Sequence, residues 1–162
     1  VSYFAAGEAP SATKFEALVP KIVAKVADET VNNSSAMQND NELFIAVAAS
    51  KKYRLLSRII YNSNSTADMK FQFTYPVGLT ATYSLLCVGS GLATWAVYEQ
   101  YETGVGIVEG AGADRSIIIN GTVAVGGTAG TLQLQWAQNT ANLSNTVVKA
   151  GSYLELVEIV TF

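Results

Sequence analysis

No histidine occurs among the 162 residues, and this absence removes more chemistry than any motif in the chain supplies. It excludes the commonest general base, the commonest transition-metal ligand and every histidine-containing triad. The single cysteine, Cys87, rules out an internal disulfide. With no imidazole to activate it, Cys87 reads as a small buried residue in the apolar run from Tyr83 to Val88. Charge is scarce as well: Asp, Glu, Lys and Arg make up 14%, against about 25% in ordinary soluble domains. Basic residues nowhere cluster beyond Lys51-Lys52 and the net charge is −3, so nucleic acid is not an expected partner. No run approaches the ~20 apolar residues of a membrane helix, and no basic segment precedes an apolar one near Val1, so neither a membrane span nor a signal peptide is expected.

The 13 acidic residues are scattered, without an EF-hand loop, an Asp-x-Asp pair or a Gly-x-Ser-x-Gly elbow. Enzymatic activity, a metal and a cofactor are therefore not expected. A glycosidase built on two carboxylates would need them ~5 to 10 Å apart across a cleft. The glycines from Gly104 to Gly112 lack the spacing and the Lys-Ser/Thr ending of a phosphate loop, and read as turns and bulges. Mean hydropathy is nevertheless positive, at +0.24. A chain this apolar and this poorly charged is easier to keep soluble if part of its surface is covered by other subunits.

What the sequence does contain is short alternating runs separated by turn residues, the pattern of an all-β sandwich. From Thr131 to Gln138, Leu132, Leu134 and Trp136 alternate with Gln133, Gln135 and Ala137, so one row faces a core and the other presents amides. Its partner run, Tyr153 to Val160, is apolar on both rows, and both of its faces are expected to be covered. Phe71, Phe73 and Tyr75 line one face of a strand over Asp68 to Pro76 and read as core. Further strands are expected over Lys21 to Ala27, from Glu42, over Tyr53 to Tyr61 and over Thr80 to Val88. Two more flank Asn120-Gly121, a dipeptide that favours a hairpin or bulge. Asn32 to Asn41 reads as a loop, and the sequons at Asn32, Asn33, Asn64, Asn120 and Asn142 read as turn residues. Trp95, Tyr98 and Tyr101 fit neither period well, and read either as an irregular strand or loop covering the sandwich or as a surface aromatic patch for sugar or protein contact. The count gives about eight to ten antiparallel strands in a single domain over 21–162, with a jelly roll preferred. Residues 1–20 carry Pro10 and Pro20 and read as an extended N-terminal arm.

Four segments carry a family resemblance. They are Ala27 to Leu43 (Ala-Asp-Glu-Thr-Val-Asn-Asn-Ser-Ser-Ala-Met-Gln-Asn-Asp-Asn-Glu-Leu), Ala67 to Gly78, Leu132 to Asn139, and Lys149 to Leu156. Together they resemble tailed-bacteriophage virion proteins with a tumour-necrosis-factor-like jelly roll, found as trimeric capsid decoration or cement proteins, with related domains in phage fibres. The resemblance covers about Lys21 to Val160. It implies a non-enzymatic homotrimer on the outer surface of a phage capsid, assembled in the bacterial cytoplasm, with the major capsid protein as partner. It further implies that Gln133, Gln135, Tyr153, Glu155 and Val157, opposite the core, contribute to the trimer interface. The alternative it leaves open is a receptor-binding domain of a head or tail fibre.

Overall fold

The computed structural model describes residues 19–88, 95–101 and 105–159, with the isolated positions 7, 9, 11 and 12 before them. The arm expected over 1–20 falls largely outside the described residues. Among the described residues twelve strands follow in order: β1 (Lys21–Ala24), β2 (Glu29–Val31), β3 (Gln38–Val47), β4 (Lys52–Asn62), β5 (Met69–Thr74), β6 (Thr80–Val88), β7 (Trp95–Tyr101), β8 (Gly106–Val108), β9 (Asp114–Ala124), β10 (Gly130–Gln138), β11 (Thr146–Val148) and β12 (Tyr153–Glu158).

Their antiparallel pairings are nested. β1 pairs β12, β2 pairs β11, β3 pairs β10, β4 pairs β9 and β5 pairs β8, with the β6–β7 hairpin added through β6 to the edge of β9. A long hairpin of this kind, rolled on itself, distributes its strands between a sheet ordered β1-β12-β4-β9-β6-β7 and a sheet ordered β3-β10-β5-β8. That arrangement is a jelly roll, and the all-β sandwich expected from the alternating runs is the observed fold. β11 and β2 extend the larger sheet beside the far end of β4.

The core lies between the sheets and uses one row of each strand. Leu132, Leu134 and Trp136 of β10 with Met69, Phe71 and Phe73 of β5 meet Leu154 and Leu156 of β12 and Tyr53, Leu55 and Ile59 of β4. Phe73 meets Tyr83 edge to face at 5.9 Å. Cys87 is buried among them, as its apolar neighbours suggested, and burial pushes its thiol pKa up.

Several expectations need correction. The runs at Thr131 and Tyr153 are not paired: β10 lies between β3 and β5, β12 lies between β1 and β4, and the two face each other across the core. β12 is also cleaner than its composition, with Leu154 and Leu156 fully buried while Tyr153, Glu155 and Val157 are half-buried on the outer face. Asn120-Gly121 makes neither hairpin nor bulge, because β9 runs unbroken through it with Gly121 opposite Tyr83 and Leu55. A Cβ at Gly121 would collide with the backbone of Thr82 and Tyr83, so the glycine serves close approach of β6. The loop expected over Asn32 to Asn41 is shortened from its far end, where β3 begins at Gln38. The glycine-rich stretch after Gly104 holds the short strand β8.

A buried ion cluster and two open sheet faces

Two neighbouring strands break at the same level. β1 and β2 are interrupted at residues 25–28, and beside them β11 and β12 are interrupted at residues 149–152. Gly151 makes the second break possible by adopting a left-handed φ of 85°. The backbone polarity released by the breaks is satisfied locally. Gly151 N–H donates to Lys25 O, Lys25 N–H to Ser152 O, and Ala150 N–H to the Asp28 carboxylate, which holds that carboxyl below its ordinary range. Val26 N–H donates to Glu42 Oε1 at 3.1 Å.

The break turns Lys25 into the sandwich, where it is 2% exposed. Its ammonium lies 2.7 Å from Glu29 Oε2, 3.0 Å from Asp40 Oδ1 and 3.5 Å from Glu42 Oε2. Burial alone would push the Lys25 pKa down, but the hydrogen bonds and charges of Glu29 and Asp40 outweigh it and hold the pKa above its ordinary value. Asp40 comes from the opposite sheet. There β3 bulges, so that Gln133 and Gln135 of β10 pair with Phe44 and Asn39, and the extra β3 residues wrap the Asp40 carboxylate. Oδ1 accepts the Glu42 and Leu43 N–H groups at 3.0 and 2.9 Å, and Oδ2 accepts the Trp136 indole N–H at 3.1 Å. One carboxylate thereby ties β1, the β3 bulge and β10 together.

The outer face of the smaller sheet is an amide surface. Gln72 Nε2 donates to Gln135 Oε1 at 2.6 Å, and Gln135 Nε2 donates to Asn39 Oδ1 at 2.7 Å, a ladder across β5, β10 and β3. Gln133 turns back on the bulge, its Nε2 donating to Asp40 O at 2.9 Å. Beside the ladder lies an open depression of about 550 Å³ lined by Asn39, Phe44, Thr74, Tyr75, Pro76, Gly130, Thr131 and Gln133. No carboxylate lines it.

The outer face of the larger sheet differs in character. Ile22 and Ile118 are 58% and 39% exposed, and Leu56, Ile60, Leu86, Tyr153 and Val157 are half-buried around them. Cross-strand register places Ile22 beside Glu155 beside Leu56, and Tyr153 beside Arg58 beside Ile118 beside Leu86. Glu155 accepts from Arg54 Nη2 at 3.0 Å, so the face neutralises part of its own charge.

Of the expected interface residues, Tyr153, Glu155 and Val157 therefore lie together on one outer face, while Gln133 and Gln135 lie on the opposite one. A single flat contact does not contain both groups. Trp95, Tyr98 and Tyr101 are on β7, pairing in register with Val88, Leu85 and Thr82, but their side chains lie outside the described residues. Four of the sequon asparagines meet at one end of the sandwich, where Asn32 Nδ2 bonds Leu143 O, Asn33 N–H bonds Asn142 O and Asn64 Nδ2 bonds Asn142 Oδ1. They hold loops to each other, as turn residues do. Lys25 and Asp40 are the pair that sequence reading missed. The available signal was the alternating row Lys21, Val23 and Lys25, which places a lysine directly after β1 where the row containing Val23 would continue toward the core.

No protein-family model matches the chain, and no curated protein sequence does. Among solved structures, that of infectious bursal disease virus Gx strain is similar over 86% of this chain and 33% of its own, with 8% identity and a TM-score of 0.37. The infectious bursal disease virus VP2 subviral particle is similar over 86% of this chain and 42% of its own, with 11% identity and a TM-score of 0.22. The chain thus spans about a third to two-fifths of those proteins. Likeness this loose carries no argument about function.

Proposed function

We propose that this chain is a structural virion protein of a bacteriophage: a capsid decoration, or cement, protein that associates as a homotrimer and stabilises the head shell by binding the major capsid protein. The observation that carries the reading is the outer face of the larger sheet, where Ile22, Leu56, Ile118, Tyr153 and Val157 present apolar side chains to the surface among Arg54, Arg58 and Glu155. A jelly roll with such a face is completed by another subunit, and the resemblance of its segments to phage cement proteins supports a copy of itself as that subunit. A threefold ring is heterologous, so each subunit offers two different patches to its two neighbours. Those patches must converge toward the axis. Tyr153, Glu155 and Val157 fit one of them, whereas Gln133 and Gln135, on the reverse of the sandwich, are left for the shell or for solvent.

A cement protein binds the assembled lattice in preference to free subunits, and so stabilises it by mass action. Residues 1–20 precede β1 at the edge of the larger sheet and supply the segment that would lie across neighbouring capsid subunits. Deleting them should leave a folded trimer that no longer holds to shells. Undiminished decoration of empty capsids by the truncated chain would refute the arm's role, and a chain that stays monomeric at all concentrations would refute the trimer.

One observation favours a second reading, a receptor-binding domain of a head or tail fibre. The depression beside Phe44 and Tyr75 combines aromatic rings with amides and hydroxyls, the chemistry of glycan contact. Hundreds of copies per virion and no loss of host binding on Phe44→Ala would support cement; a few copies and lost binding would support fibre.

A further inference from the structure

The geometry points to a covalent maturation of the buried cluster: an amide bond between Lys25 Nζ and Asp40 Cγ, formed with loss of one water and assisted by Glu29. This does not depend on the virion reading. The amine and the carboxylate are already in contact, with Nζ 3.0 Å from Oδ1, and their side chains are 1% and 0% exposed. Held contact of this kind replaces a bimolecular encounter by an intramolecular one, worth an effective concentration far above any solution value. Dryness supplies the driving force. A buried ion pair keeps the desolvation cost of two charges, and condensation to a neutral amide removes both.

The surrounding groups match the needs of acyl transfer. Backbone N–H groups of Glu42 and Leu43 both point at Asp40 Oδ1, at 3.0 and 2.9 Å, and would hold the negative charge that develops there as the amine adds. Glu29 is the carboxylate nearest the ammonium, at 2.7 Å, and is itself oriented by Asn41 N–H and Gln38 Nε2. It takes one proton from Lys25, which frees the nitrogen lone pair to attack Cγ. The Cγ–Oδ2 bond then breaks. Oδ2 departs as water with two of the three ammonium protons, one of them returned by Glu29, and the third remains as the amide N–H. Both charges vanish, Glu29 is regenerated, and nothing is oxidised or reduced. Because the ammonium is held charged at rest, the reaction proceeds through a minor neutral form and is a slow maturation after folding. The product would tie the end of β1 in one sheet to the β3 bulge of the other, a covalent staple between the two layers.

Intact-mass spectrometry of the full chain under denaturing conditions tests this directly. The expected mass is lower than that calculated from the sequence by one water, and protease digestion should yield a branched peptide joining the fragments that contain Lys25 and Asp40. Lys25→Arg, which keeps the charge but cannot condense, should have its full calculated mass. Glu29→Gln should convert about 100-fold more slowly than the parent chain. A parent chain that retains its full mass after prolonged incubation overturns the inference, whatever the variants do. So does a water deficit that persists in Lys25→Arg, since that would place the dehydration at an imide elsewhere.

Discussion

Trp136 on β10 donates its indole N–H to Asp40 in the β3 bulge at 3.1 Å, so the largest fully buried side chain and the most enclosed acid among the described residues share one bond. Asp40 also accepts the Glu42 and Leu43 N–H groups and the Lys25 ammonium. Replacing it orphans three N–H donors and one partner of a buried cation. Asp40→Ala should therefore destabilise the fold by about 3–5 kcal/mol. Lys25→Met should cost less, because it leaves the three N–H bonds to Asp40 in place. Urea unfolding of both variants, each against freshly folded parent chain of full calculated mass, checks the order, and a larger loss for Lys25→Met would mean that the ion pair outweighs the bulge.

Gly121 gives a second, independent test. It sits on the inner row of β9 between Leu55 and Tyr83, where an added Cβ meets Thr82 O and the Tyr83 backbone. That contact is with a neighbouring strand and cannot be relieved by a rotamer change. Gly121→Ala should cost about 1–3 kcal/mol and loosen the β6–β7 hairpin first. Hydrogen exchange should show lost protection along β6 before β3 or β10. Uniform loss across both sheets would contradict a local cause.

How far these features were legible follows from their range. Alternation is a local property, so Leu132, Leu134 and Trp136, or Phe71 and Phe73, announced an inward row without any knowledge of partners. Pairing is not local. Nothing within Thr131 to Gln138 or Tyr153 to Val160 states that the two lie in different sheets, and proximity in sequence suggested otherwise. Gly121 misled for a related reason: the same absence of a side chain that permits a turn also permits close approach by another strand. Asp40 was hidden because its surroundings, Gln38, Asn39, Asn41 and Glu42, have loop composition. Its burial depends on Lys25 and Trp136, which the fold alone brings to it.

Alkaline pH should destabilise the domain from the ordinary cysteine and tyrosine range upward. Burial raises the pKa of Tyr61 from 10.0 to about 12 and also raises those of Tyr83 and Cys87. A raised value means that the folded chain holds its proton more tightly than the unfolded one. The stabilisation is complete below the unfolded value and is lost as pH climbs through the folded one. For Tyr61 alone the full loss is on the order of 3 kcal/mol. Stability should thus be flat to about pH 9 and fall steadily toward pH 12. Tyr61→Phe should flatten that fall while losing the hydrogen bond from Tyr61 Oη to Glu109 O, about 1 kcal/mol at neutral pH. An unchanged alkaline slope in Tyr61→Phe would remove Tyr61 from this account.

Ile118 tests what the larger sheet's outer face is for. It is 39% exposed on β9, between Arg58 of β4 and Leu86 of β6, on the row opposite the core residues Ile117 and Ile119. A carboxylate there costs little in a monomer, because the side chain already reaches water. In a trimer that covers this face it would be desolvated without a dedicated partner. Ile118→Asp should therefore leave thermal unfolding of the monomer within about 0.5 kcal/mol of the parent, while weakening self-association by at least about 2 kcal/mol, or roughly thirtyfold in dissociation constant. Analytical ultracentrifugation across a dilution series separates the two effects. The matched control is Thr74→Asp on the smaller sheet, beside the depression at Tyr75 and Pro76, which should leave association intact. If Thr74→Asp dissociates the assembly and Ile118→Asp does not, the covered face is the amide surface around Gln133 and Gln135, and the assignment of the two sheets must be exchanged.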